Sequence, residues 1–149
     1  MSGEQVRIKW TGGKQFVGTD SGNHSVVISS HDKDNHTGLK PSEMLLLSLG
    51  SCSAYDVVHI LEKKRVGLNG LEINIQSEQA SKPPYEFQKI HLHFTITGKS
   101  LNEKSVEQAI QLSIEKYCSV AATIRRVAEI QSSYEIINDE TTGSPHREL

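Results

Sequence analysis

An α+β fold is what the sequence predicts, on three observations. Apolar residues that alternate at period two fall in groups of strands and are not dealt out singly between helices. One long segment, Pro41 to Arg65, contains no internal Pro and reads as a helix. Two shorter helical patterns, opening at the capping residues Asn102 and Ser119, precede a last alternating run.

In chain order, Val6, Ile8 and Trp10 alternate with Arg7 and Lys9 as in a half-buried strand, and Thr11-Gly12-Gly13 supplies a turn. Gln15 to Thr19 and Ser25 to Ser29 are the next two strands, parted by Asp20-Ser21-Gly22-Asn23, so the chain begins with an antiparallel meander. His31 to Lys40 is a polar loop. The long helix opens on Pro at a first-turn position and closes on basic residues before Gly67. At about 100° per residue, with Cys52 at zero, Leu49 falls near 60°, Leu46 near 120°, Leu61 near 180° and Val58 near −120°. Apolar side chains thus face every direction, and the helix is expected to be enclosed all round by its own sheet and a second subunit.

Leu71, Ile73 and Ile75, then Ile90, Leu92, Phe94 and Ile96, form two strands that a hairpin across Ser81-Lys82-Pro83-Pro84 can join. The helix from Asn102 is expected to run through Lys116 with Val106, Ala109, Ile110, Ser113 and Ile114 inward. A break at Tyr117-Cys118 precedes a helix from Ser119 to about Val127, and Ile130, Ser132, Tyr134 and Ile136 form the last strand. A single domain over residues 1–137 is expected, with 138–149 a flexible tail rich in polar residues.

The 149 residues carry a net charge of −2 and no basic run longer than Lys63-Lys64-Arg65, so no footprint for a phosphate backbone is visible. Nucleic acid is not an expected partner. With 36% apolar residues the core is lean, which points to completion by a second copy of the chain. The first ten residues lack a basic region followed by an apolar one, and the apolar run Met44 to Leu49 is too short to span a bilayer. A soluble cytoplasmic protein with no membrane partner is expected, and in that compartment two cysteines are reactive, metal-binding or simply buried.

Cys52 lies inside the long helix, with Asp56 and His59 on the same face. Cys118 stands beside the start of a helix, where the partial positive charge favours a thiolate. Three readings stay open on these residues. Cys52, Asp56 and His59 could ligate a metal, Cys52 and Cys118 could be a redox couple, or both could be core packing. His91 and His93, alternating on one strand face, read as a surface or interface pair.

Two motifs add a resemblance. Lys40-Pro41-Ser42-Glu43-Met44-Leu45-Leu46-Leu47-Ser48-Leu49-Gly50-Ser51-Cys52, with Asp56-Val57-Val58 after it, resembles the central-helix signature of the OsmC/Ohr family of organic hydroperoxide reductases. Glu115-Lys116-Tyr117-Cys118-Ser119-Val120 resembles the segment that bears the family's second cysteine, and the whole is most similar to the YhfA-like branch.

The resemblance implies an intertwined homodimer with strongly curved antiparallel sheets around a long buried central helix. It implies a thiol-dependent peroxidase in which Cys52 attacks an organic hydroperoxide, giving a sulfenic acid and an alcohol. Cys118 then closes a disulfide that a thiol or dithiol reduces. No metal and no organic cofactor is implied. Where the family has an activating Arg this chain offers Lys14, and the family's Glu is matched by Glu43, one position later, because Ser42 follows the Pro. Lys lacks the bidentate fork of Arg, and the shift turns Glu43 to roughly the side of the helix opposite Cys52. Arg125 and Arg126 could supply the missing guanidinium. A protein that keeps the fold but binds an apolar small molecule, with little or no peroxidase activity, is the alternative.

Overall fold

The computed structural model describes Gly3 and residues 5–139, which fall into two compact units, within Met1–Ser48 and Leu49–Leu149. The first unit holds the expected meander: β1 (Arg7–Gly12), β2 (Gln15–Thr19) and β3 (Ser25–Ser29), paired antiparallel in sequence order. Gly13 takes the turn between β1 and β2 at a φ of 56°, left-handed backbone that favours glycine, and Trp10 Nε1 donates to its carbonyl at 2.9 Å. The half-buried face expected for β1 is not buried in the single chain. Val6, Ile8 and Trp10 keep 70%, 61% and 65% of their surface, because period two separates the faces of a strand without supplying anything to cover one of them.

The long helix, α1 (Pro41–Lys63), runs across the division between the units. Its buried residues Leu49, Gly50, Ser53, Val57 and Leu61 form a single stripe, so one chain encloses it on one side and not all round. It stops two residues short of the expected Arg65, which sits at a φ of 55° while Val66 N–H donates to Leu61 O at 3.0 Å. By length and composition α1 could cross a membrane, with a mean hydropathy of 1.5 over its most apolar 18 residues. The short run Met44 to Leu49, broken by Ser48, is only part of that window. The buried stripe of α1 is also what a core helix has.

In the second unit, β4 (Gly67–Gln79) and β5 (Phe87–Lys99) form the expected antiparallel pair. β6 (Glu129–Asn138) lies on the other side of β5 and parallel to it, so this sheet is mixed and not antiparallel throughout. The reason is the helical connection, which carries the chain back along β5 before the last strand begins. That connection comprises α2 (Glu103–Leu112), a π-helical turn (Ser113–Tyr117) and α3 (Ser119–Ile124). Asn102 caps α2 as expected, its Oδ1 accepting from Ser105 N–H at 2.8 Å. The core is built on the inner residues of β5, Ile90, Leu92, Phe94 and Ile96, all with no exposed surface. Asn138, the first residue of the expected tail, ends β6, and residues 140–149 lie outside the described residues.

Candidate functional site

The site is assembled in the second unit from α1 and the π-helical turn. The last turn of the expected helix to Lys116 is not α-helical: Cys118 N–H donates to Ser113 O at 2.9 Å, a five-residue step. That wider turn leaves the helical path at Cys118, where the backbone is extended (φ −68°, ψ 110°). Cys118, not the following Ser119, is therefore the cap of α3, and its Sγ accepts from Ala121 N–H at 3.3 Å. Arg125 reinforces the turn by donating from Nη1 to Glu115 O at 2.7 Å. Its guanidinium serves backbone carbonyls.

This path brings Cys118 Sγ to Cys52. The two sulfurs and a carboxylate oxygen of Asp56 all lie within 4.8 Å of one another. Both cysteines are free thiols, Cys52 half-buried and Cys118 only 1% exposed. Two buried hydroxyls complete the surroundings. Ser113 Oγ donates to Asp56 Oδ2 at 3.1 Å, with Ser53 O at 3.3 Å. Ser53 Oγ is wholly buried and has no hydrogen-bond partner of normal geometry among the described residues, although it approaches the Cys118 sulfur closely enough to influence it.

Burial pushes the Cys118 thiol above its ordinary value, and the hydrogen bond it shares with Cys52 adds to the rise. The Ala121 N–H and the Ser53 hydroxyl pull the other way and are outweighed. The thiolate expected from the helix terminus is thus overridden, because desolvation of a nearly sealed sulfur exceeds what one N–H at the start of the short α3 returns. Cys118 is held as a thiol.

Beside Asp56 opens a cleft of about 570 Å³, walled by Ile60, Leu112 and Tyr117, with His59, Lys63 and Lys64 also lining it. His59 is not in the sulfur cluster: it lies exposed, stacked on Tyr55 with ring centroids 6.0 Å apart. Of Cys52, Asp56 and His59, one of the open groupings, only Cys52 and Asp56 meet, and Cys118 stands with them in place of His59. His91 and His93 are the pair expected, half-buried on one face of β5, and share Ser133 Oγ at 2.9 and 2.8 Å.

Lys14 and Glu43 belong to the first unit. Glu43 lies exposed in the first turn of α1. Lys14 Nζ pairs with Asp32 Oδ2 at 3.2 Å, and the same carboxylate accepts from Ser30 Oγ and Asn35 Nδ2, each at 2.6 Å. These bonds, that of Ser30 foremost, hold the Asp32 carboxyl well below the usual carboxylate range. A group depressed in the fold adds stability above its ordinary value, about 4, and loses it as the pH falls through the lower, folded value. A carboxyl-carbon NMR titration should find Asp32 still ionised where a free aspartate is half protonated. An ordinary midpoint would show that the cluster does not hold in solution.

Sequence reasoning missed Ser53 and Ser113 as parts of the site. Their signal is a hydroxyl set within an apolar helical stripe, which reads equally as packing.

Compared with known proteins, residues 31–133 match the family model described as OsmC-like protein. The chain is 38% identical over 133 residues to Protein YhfA of Escherichia coli (strain K12), covering 89% of this chain and 98% of that one. The crystal structure of a hypothetical protein from Aquifex aeolicus superposes with a TM-score of 0.84 at 31% identity, over 94% of this chain and all of the other. The organic hydroperoxide resistance protein OhrB of Bacillus subtilis shares the fold, with a TM-score of 0.61 at 14% identity over 89% of this chain and 98% of its own.

Proposed function

Because the chain belongs to the OsmC-like family, we propose that it is a thiol-dependent peroxidase that reduces organic hydroperoxides with Cys52 and Cys118. The observation that carries this reading is the convergence of the two sulfurs, from distant parts of the chain, to within 4.8 Å. A structural neighbour named for organic hydroperoxide resistance supports the substrate class.

The environments of the two cysteines support distinct roles in this reading. Cys52 is half-buried on the helix that bears Asp56, which lines the cleft, whereas Cys118 is sealed and kept protonated by burial. Cys52 therefore attacks. Its thiolate forms a bond to one peroxide oxygen as the O–O bond breaks, and the departing alkoxide takes a proton to leave as alcohol. The Cys118 sulfur then displaces hydroxide from the Cys52 sulfenic acid; water leaves and a disulfide remains, which an external thiol or dithiol reduces. The apolar walls of the cleft suit an alkyl or acyl hydroperoxide. Lys14 and Glu43 enter this reading through the family resemblance alone.

The working unit in this reading is a homodimer, supported by the apolar side chains that one chain leaves uncovered, Val6 just before β1, Ile8 and Trp10 on it, and Leu45 and Tyr55 on α1. Its proposed compartment is the cytoplasm, where two free thiols stay reduced. Intact-mass measurement tests the reaction. The reduced protein, given one equivalent of an organic hydroperoxide, should lose two hydrogens within seconds, and Cys118→Ser should instead gain one oxygen. A mass unchanged after minutes would leave the cleft to the alternative, a binding site for an apolar small molecule.

A further inference from the structure

We propose that the reduced Cys52–Asp56–Cys118 cluster is a binding site for a thiophilic divalent cation of the zinc type. Three donor atoms, two sulfurs and a carboxylate oxygen, already lie within 4.8 Å of one another. A cation bonded to two sulfurs at about 2.3 Å and to a carboxylate oxygen at about 2.1 Å holds its donors within such a span. The donor set selects the ion. Two sulfurs disfavour calcium and magnesium, which take oxygen, and favour zinc or a similar borderline-soft metal.

Charge points the same way. The cluster gathers three groups that are all anionic when deprotonated, and no ion pair engages Asp56 among the described residues. Deprotonating both thiols beside the carboxylate is costly in a half-buried site, and a divalent cation offsets that cost. Surrounding groups are placed as supports. Ser113 Oγ donates to Asp56 Oδ2 and so fixes the orientation of the carboxylate. Ser53 Oγ, wholly buried beside the Cys118 sulfur and with no partner of normal geometry among the described residues, can donate to that sulfur once it is a thiolate. Three protein donors leave a fourth, open position for water or an external ligand.

Binding changes no oxidation state: the metal forms two metal–sulfur bonds and the two thiol protons pass to solvent. A disulfide between the same sulfurs removes both donors, so the metal and the bridge exclude each other. The site is thus filled only in the reduced protein. This inference rests on the cluster geometry and not on the peroxidase reading.

Cobalt(II) is the probe. Added without air to the full-length reduced protein, it should raise a thiolate-to-cobalt charge-transfer band in the near ultraviolet, saturating at one ion per chain and displaced by zinc. Cys52→Ser and Cys118→Ser should each abolish the band at cobalt concentrations that saturate the parent protein. Asp56→Asn, nearly isosteric, should weaken binding at least tenfold, and Ser113→Ala about tenfold through the orientation of Asp56. The oxidised protein should show no band. Absence of the band in protein with two titratable thiols, affinity unmoved by Asp56→Asn, or binding that survives Cys52→Ser would each overturn the assignment, the last by pointing to histidines elsewhere. No hydroperoxide enters the titration, so its failure leaves the peroxidase reading standing, and an inert peroxidase that binds cobalt leaves the metal site standing.

Discussion

Serine at position 52 should yield a folded protein whose consumption of an organic hydroperoxide, with a dithiol as reductant, falls by at least about a thousandfold. A hydroxyl is neither deprotonated near neutral pH nor soft enough to attack an O–O bond, so little residual route remains. The fold should survive, since Cys52 is half-buried and the exchange removes little volume. Cys118→Ser should behave differently: the first oxidation proceeds and only turnover stops. Following loss of hydroperoxide for both variants separates the two positions. If Cys118→Ser abolishes the first oxidation while Cys52→Ser retains it, the roles are reversed. If neither variant alters the rate, the thiols are not the reacting groups.

Phe94→Ala should cost about 3–5 kcal/mol of stability, a large share of the roughly 5–15 kcal/mol that holds a typical domain together. Phe94 has no exposed surface and sits on the central strand of its sheet, in register with Ile73 on β4 and Tyr134 on β6. Truncation therefore opens a cavity at the middle of three paired strands, and a paired sheet cannot collapse into it without breaking its ladder. A urea midpoint displaced downward with unchanged slope is the expected result. A loss below about 1 kcal/mol would mean that this face of β5 is not the core.

Much of the architecture was legible because its signals are local. β2 and β3 begin and end where read, bounded by turn residues, and Asn102 caps its helix through its own side chain. The direction of β6 was not legible, since alternation marks faces and carries no polarity. Nor was the π-helical turn, which is a matter of hydrogen-bond spacing and has no residue pattern of its own. At Cys118 the sequence names Ser119 as the cap because hydroxyls are better acceptors than sulfur, yet burial and the path of the turn give the role to Cys118. The candidate site followed the same division. Cys52, Cys118 and Asp56 could be singled out by residue type, whereas Ser53 and Ser113 became visible only when side chains from α1 and the turn faced each other.

The winding at Ser113–Tyr117 has one surplus residue compared with a regular helical turn. The encounter of the thiols is therefore encoded in a count as well as in chemistry. A chain that kept every functional side chain and lost one position from this segment would still wind a helix there, but its second sulfur would swing about 100° around the axis, away from the first. Among relatives, an intact pair of cysteines is thus informative only when the spacing before the second one is intact too.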